Sequence, residues 1–205
     1  MKLYGFPASP NTWKVRAFAH QIGVPLELEI VDLTKGAQRK PEYLAVNPTG
    51  RTPTLVDGDF KLWESCAIMQ YIGSKTKTPM WPDDAKTRAD IMRWQSWHLQ
   101  HWNRGTTGFI FENLVKAIMQ LGPPDQKALA QAAELFHQDA DMLDKHLGAH
   151  PYLVNNALTL ADFTVAAPLF HAEPAKIPLD KYANVKRWFG AQAALPAWQE
   201  TAPKR

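Results

Sequence analysis

The sequence predicts an α/β domain followed by an all-α domain. Short segments with strand periodicity occur only before Lys75, a proline-containing stretch without a period follows, and beyond it only helical windows remain. The corresponding boundaries are residues 1–76 for the first domain, 77–84 for a linker and 85–205 for the helical domain. A chain of 205 residues accommodates one large or two small domains at about 150 residues each.

Lys2–Gly5 reads as a short strand, and Leu26–Val31 alternates apolar and acidic residues with the period of a half-buried strand. Between them Val15, Phe18 and Ile22 repeat at helical spacing, and Gly23 and Pro25 close that helix. Thr52–Val56 and Phe60–Trp63 are two further strands joined by Asp57-Gly58, a tight-hairpin signal. A helix from about Ser65 to Ser74 completes the order β-α-β then β-β-α, which resembles a thioredoxin-like fold. Asp84 is placed to cap the next helix. Helical windows then cover Ala85–Asn103, Phe109–Leu121, Gln126–Leu147, Leu160–His171 and Tyr182–Ala193, punctuated by Gly105, Gly108, Gly122-Pro123-Pro124 and Gly148. Pro168 predicts a kink or an opened turn.

A hydrophobic fraction of 45% and a charged fraction of 21% suit a globular chain with a real core. The single cysteine, Cys66, excludes an internal disulfide framework, a Cys-x-x-Cys pair and a cysteine-rich zinc module, so any thiol chemistry needs a thiol from another molecule. Every apolar run is interrupted before membrane-spanning length, and Met1–Pro7 lacks the apolar core of a secretory signal, so a cytoplasmic protein without membrane contact is expected. A pI near 8.9 favours anionic ligands, but the densest basic pair, Arg39-Lys40, is no nucleic-acid stripe. His98 and His101 share a helix face without a third ligand, so no metal is expected.

Three short segments can carry chemistry. Pro53 sits within a strand window, where it either starts an edge strand or, as a cis proline, turns the Thr52 backbone outward as a small edge for a peptide-like ligand. Glu64-Ser65 lies at a strand-to-helix turn: an ordinary cap, or a carboxylate site with an acid alongside to pair an ammonium. Ser9-Pro10-Asn11-Thr12 follows the first strand and makes a standard helix start, with Ser9 as cap and Pro10 in the first turn. The same placement aims a hydroxyl and a helix N-terminus at the strand ends, where a thiolate would be stabilised. Lowering a thiol pKa by about two units from ~8.5 requires ~2.7 kcal/mol. One hydrogen bond to a charged group, ~1.5 to 3 kcal/mol, with a helix-dipole contribution of ~0.3 to 1 kcal/mol, supplies that.

Taken in order, Lys2-Leu3-Tyr4-Gly5, Ser9, Asn47-Pro48-x-Gly50-x-x-Pro53 and Glu64-Ser65-x-Ala67-Ile68 resemble the glutathione-binding half of cytosolic glutathione transferases. Leu158-Thr159-Leu160-Ala161-Asp162 is similar to the family's helix-capping signature, with Thr159 and Asp162 forming a capping box. The resemblance implies that Ser9 hydrogen-bonds the glutathione sulfur, that the Thr52 main chain pairs with the cysteinyl backbone beside cis Pro53, and that Glu64 and Ser65 hold the γ-glutamyl amino and carboxylate groups. Gln38 and Arg39 fall where phi-like members place His and Lys near the glycyl carboxylate, and Arg51 where many carry Gln.

Phe109-Ile110-Phe111-Glu112-Asn113 with Lys116 is similar to a helix of plant-type phi enzymes, whereas Ser9-Pro10-Asn11 with Gln38 also resembles nu-class members, in which Asn11 would serve the sulfur. The beta-class cysteine is absent, Ala8 and Ser9 occupying that region. Cys66, near a helix start, reads either as an activated thiol or as a buried structural one. An electrophile site would lie between the domains, with Trp102, Phe109 and Asn113 as its candidate residues; the competing reading of the aromatic residues Trp97, Trp102, Phe109 and Phe111 is bundle core or dimer contact. The implied activity is conjugation of glutathione, as co-substrate, to an electrophilic apolar molecule by a homodimer. Alternatives are glutathione-dependent disulfide or peroxide reduction, and a non-catalytic binding or assembly role for the same fold.

Overall fold

The computed structural model describes residues 1–203 and divides into two units, one of Met1–Trp81 together with the segment from Leu195, the other Pro82–Ala194. In the first unit β1 (Lys2–Gly5) runs into α1 (Pro10–Gln21), which crosses over to the parallel strand β2 (Glu27–Ile30), pairing Lys2 with Glu27 and Gly5 with Ile30. Two single 3-10 turns, Leu33–Lys35 and Ala37–Arg39, and the short α2 (Pro41–Leu44) lead to β3 (Thr54–Asp57). β3 is antiparallel to β1, with Leu3 opposite Leu55, and β4 (Phe60–Trp63) is antiparallel to β3. Gly58, at φ +60°, makes the turn between them. The sheet order is β2-β1-β3-β4, and α3 (Ser65–Lys75) follows β4. Leu3, Val15, Phe18, Leu55, Ile68, Met69 and Ile72 are all fully buried, so sheet and helices enclose one core. The mixed sheet is the thioredoxin-like arrangement expected.

The second unit is helical: α4 (Ala85–Trp97), α5 (Asn103–Ile110), α6 (Lys116–Met119), α7 (Gln126–Ala149), α8 (Leu160–Ala166), α9 (Ala172–Ala175) and α10 (Ala183–Ala193). Asp84 caps α4, accepting from the Thr87 N–H at 2.7 Å, and Asp125 caps α7, accepting from the Lys127 N–H at 2.9 Å. Pro168 converts the end of α8 into a 3-10 stretch, Ala167–His171. α8 is buried throughout, and the Asp162 carboxylate at its start accepts from the Thr159 N–H (2.8 Å), the Leu153 N–H (3.1 Å) and Trp188 Nε1 (2.9 Å).

Two expectations are corrected. Gly105 and Gly108 do not break the chain: helix continues from Ala85 to Met119, interrupted only by π turns at His98–Trp102 and Phe111–Val115. A Cβ on Gly105 would stand 2.7 Å from the Phe136 backbone, and one on Gly108 2.6 Å from the Ala132 Cβ. These glycines let α5 approach α7. The segment from Leu195, placed by the sequence in the helical domain, belongs by its contacts to the first unit. Leu195 precedes Pro196 and leaves helical backbone, ending α10, and Pro196 opens α11 (Pro196–Glu200). The Trp198 ring packs edge-on against Trp13 at 5.6 Å, and Trp13 Nε1 donates to Thr201 Oγ1 at 3.2 Å.

Candidate functional site

At one end of the sheet, α1, the loop before β3 and the β4–α3 turn enclose a pocket lined by Asn11, Asn47, Thr49, Arg51, Thr52, Pro53, Trp63, Glu64 and Ser65. Asn47, wholly buried, organises the loop. Its Oδ1 accepts from the N–H and hydroxyl of Thr49 at 3.0 and 2.8 Å, an Asx turn, and its Nδ2 donates to the Arg51 carbonyl at 2.8 Å and to Thr54 Oγ1 at 2.9 Å. The Tyr43 hydroxyl also donates to the Arg51 carbonyl, and burial pushes its pKa up. The loop reaching Thr52 is thus clamped before it enters β3, and the Thr52–Pro53 bond is cis.

Glu64 takes φ +70°, a left-handed value rare for a residue with a side chain, and caps α3 through its carbonyl, which accepts from the Ile68 N–H at 2.9 Å. Ser65, 5% exposed, donates its hydroxyl to Asn11 Oδ1 at 3.3 Å. That leaves the Asn11 amide N–H groups available to a ligand. Ser9 occupies the cap position of α1: its carbonyl accepts from the Trp13 N–H at 2.9 Å, but its hydroxyl makes no capping hydrogen bond. It is half-buried, lies two residues before Asn11 and is not itself a lining residue. Gln38 and Arg39 also lie outside the lining but run beside it. Gly50, at φ +62°, faces the Gln38 carbonyl and Arg39 Nη1, which would be 3.1 and 3.3 Å from an added Cβ.

Of the residues expected at the site, Asn11, Arg51, Thr52, Pro53, Glu64 and Ser65 are therefore brought together, and Ser9, Gln38 and Arg39 flank them. Asn47, Thr49 and Trp63 were not singled out as ligand contacts; the Asn-Pro-x-Gly run was the available signal for the first two.

The electrophile-site candidates have other roles. Trp102 is fully buried, its Nε1 donates to the Val165 carbonyl at 3.0 Å, and its ring stacks on Trp97 at 5.7 Å. Phe109 is buried edge-on to Phe136 at 6.1 Å, and Asn113 Nδ2 donates to the Ala175 carbonyl at 2.8 Å. Trp102 and Phe109 are bundle core, as large aromatic rings between packed helices usually are, and the Asn113 amide is committed to a main-chain partner. Cys66 is likewise buried, with Lys14 Nζ 4.0 Å from its sulfur.

Among the described residues no helix is long and apolar enough to cross a membrane. Residues 1–74 match the glutathione S-transferase N-terminal domain and residues 126–191 the C-terminal domain. The chain is 36% identical to glutathione S-transferase 3 of Zea mays, over 98% of this chain and 92% of that one. Glutathione transferase F7 from Populus trichocarpa superposes with a TM-score of 0.90 at 28% identity, covering 98% of this chain and 96% of that one. A glutathione S-transferase-I structure bound with lactoylglutathione gives 0.89 at 26% identity, over 98% and 97%. Clamped loop, pocket and both family domains agree: the chain belongs to the cytosolic glutathione transferase family.

Proposed function

We propose that this glutathione transferase binds glutathione in the pocket of the first unit and activates its thiol with Ser9 and Asn11. The observation that carries the reading is the Ser65–Asn11 hydrogen bond, which joins a helix start suited to a carboxylate to a helix start suited to a thiolate. Glu64 pairs with the γ-glutamyl ammonium, Ser65 and the first turn of α3 with its carboxylate, and the Thr52 main chain with the cysteinyl backbone. Arg51, with Gln38 and Arg39 beside Gly50, faces the glycyl carboxylate.

The Ser9 hydroxyl, uncommitted to capping, donates to the sulfur, and an Asn11 amide N–H adds a second donor. Both hydrogen bonds favour the thiolate over the thiol; the thiol proton leaves to solvent. The thiolate then forms a carbon–sulfur bond to an electrophilic, largely apolar molecule, whose leaving group departs with the electron pair of the broken bond. The protein's contribution is a higher thiolate fraction and a fixed sulfur position. A cytoplasmic homodimer working without a metal belongs to the same reading.

The test is an ultraviolet titration of the bound thiol in wild type and Ser9→Ala. A rise of about one unit or more in Ser9→Ala is expected from the loss of one hydrogen bond to an anion. Identical titrations would remove Ser9 from the mechanism.

A further inference from the structure

Lys14 lies one turn after Asn11 on α1, and both positions meet α3. Asn11 meets Ser65 at the pocket, and Lys14 meets the next residue, Cys66, with 4.0 Å between Nζ and Sγ. The Lys14 side chain is fully buried, and its hydrogen-bond partner is this thiol rather than a carboxylate. Burial pushes its pKa down; Cys66 and Glu64, the titratable groups acting on it, push it up. The placement is costly twice over. Keeping the ammonium form there takes a charge out of water and places it near the N-terminal turn of α3, whose partial charge is also positive. A methionine would fill similar space without either cost.

The pocket wall explains what such a cation can offer. The charged lining residues, Arg51 and Glu64, cancel, whereas glutathione carries two carboxylates against one ammonium and gains a further negative charge when its sulfur ionises. We propose that Lys14 is a positioning residue for this site: through Cys66 and the first turn of α3 it holds Ser65 against Asn11, and from behind the Glu64-Ser65 wall it supplies positive charge that the lining lacks. The proposal rests on the glutathione reading above.

Lys14→Met, Lys14→Arg and wild type are compared by calorimetry with glutathione, by titration of the bound thiol and by thermal unfolding. Lys14→Met is expected to bind glutathione roughly tenfold more weakly and to raise the bound thiol pKa, in keeping with loss of a desolvated charge. It should melt at or above the wild-type temperature, and Lys14→Arg should recover most of the affinity. A folded Lys14→Met with unchanged affinity and thiol pKa overturns the proposal. So does weaker binding that comes with a lower melting temperature and an unmoved thiol pKa, which marks a packing role. If Lys14→Met does not fold, Lys14→Gln carries the same comparison, and failure of both to fold overturns the proposal in favour of a purely structural lysine. Wild type that does not bind glutathione strikes the glutathione reading itself, a result separable from every Lys14 outcome.

Discussion

The Ser65 hydroxyl donates to Asn11 Oδ1 at 3.3 Å and so ties together the first turns of two helices 54 residues apart in sequence. Neither helix start is closed by a side-chain cap, and their union makes a surface with donors at two separated points, which is what a tripeptide-sized anion requires. The coupling is measurable. Asn11→Ala and Ser65→Ala, singly and together, should each weaken glutathione binding, and their effects should fall short of additive by about 1 kcal/mol. Strict additivity would mean that the two side chains act independently.

Because the Ser9 hydroxyl makes no capping hydrogen bond, Ser9→Ala should leave the melting temperature within experimental scatter. An ordinary cap removed in this way costs about 1 kcal/mol. A thermal unfolding scan distinguishes the two, and a clear destabilisation would assign Ser9 to helix capping.

Gly105→Ala should destabilise by about 1 to 3 kcal/mol, since the new methyl meets the Phe136 backbone, which cannot move aside cheaply. Gly190→Ala in α10, where nothing lies within 4 Å of the added carbon, should instead stabilise by roughly 0.5 to 1 kcal/mol through helix propensity. Urea unfolding of the pair tests whether close approach or glycine flexibility explains the helix.

Glu112 accepts from Lys116 Nζ at 2.6 Å and from the Asp125 N–H at 2.6 Å, and these bonds hold its pKa below the ordinary glutamate value. A depressed folded-state pKa means stability present above the unfolded value near 4.3 and lost as pH falls through the folded one. The wild type should therefore lose stability on acidification over that window, and Glu112→Gln should show a shallower acid limb. Parallel acid limbs would exclude the contribution.

Trp198→Ala should cost about 3 to 5 kcal/mol, as expected for emptying a fully buried indole site. The loss should appear in the near-ultraviolet signal of its neighbour Trp13, and an unchanged spectrum would contradict their edge-on packing.

Local chemistry made much of this legible in the chain. Asp57-Gly58 fixes a hairpin because a glycine at positive φ is required there, and Thr159 with Asp162 announces a helix start because a carboxylate three residues on can reach the cap. The same holds for Pro53 and Glu64-Ser65, whose motifs are contiguous. What escaped depends on partners distant in sequence. Gly105 and Gly108 read as breakers until Phe136 and Ala132 are brought against them, and the short α11 is stabilised by Trp13 rather than by its own propensity. Trp102 and Phe109 carry identical chemistry whether they line a cavity or fill a core, so only their neighbours decide. Lys14 offered no signal, because a lysine in a helix is ordinarily solvated.

The return of the segment from Leu195 to the first unit has a consequence for biosynthesis. Trp13 precedes its partner Thr201 by 188 residues, and Trp198 lies close to Thr201, so the ribosome makes the indole of α1 well before the groups that cover it. Throughout synthesis of the intervening helices, α1 therefore waits with an uncovered indole, and the first-made unit is the one completed last.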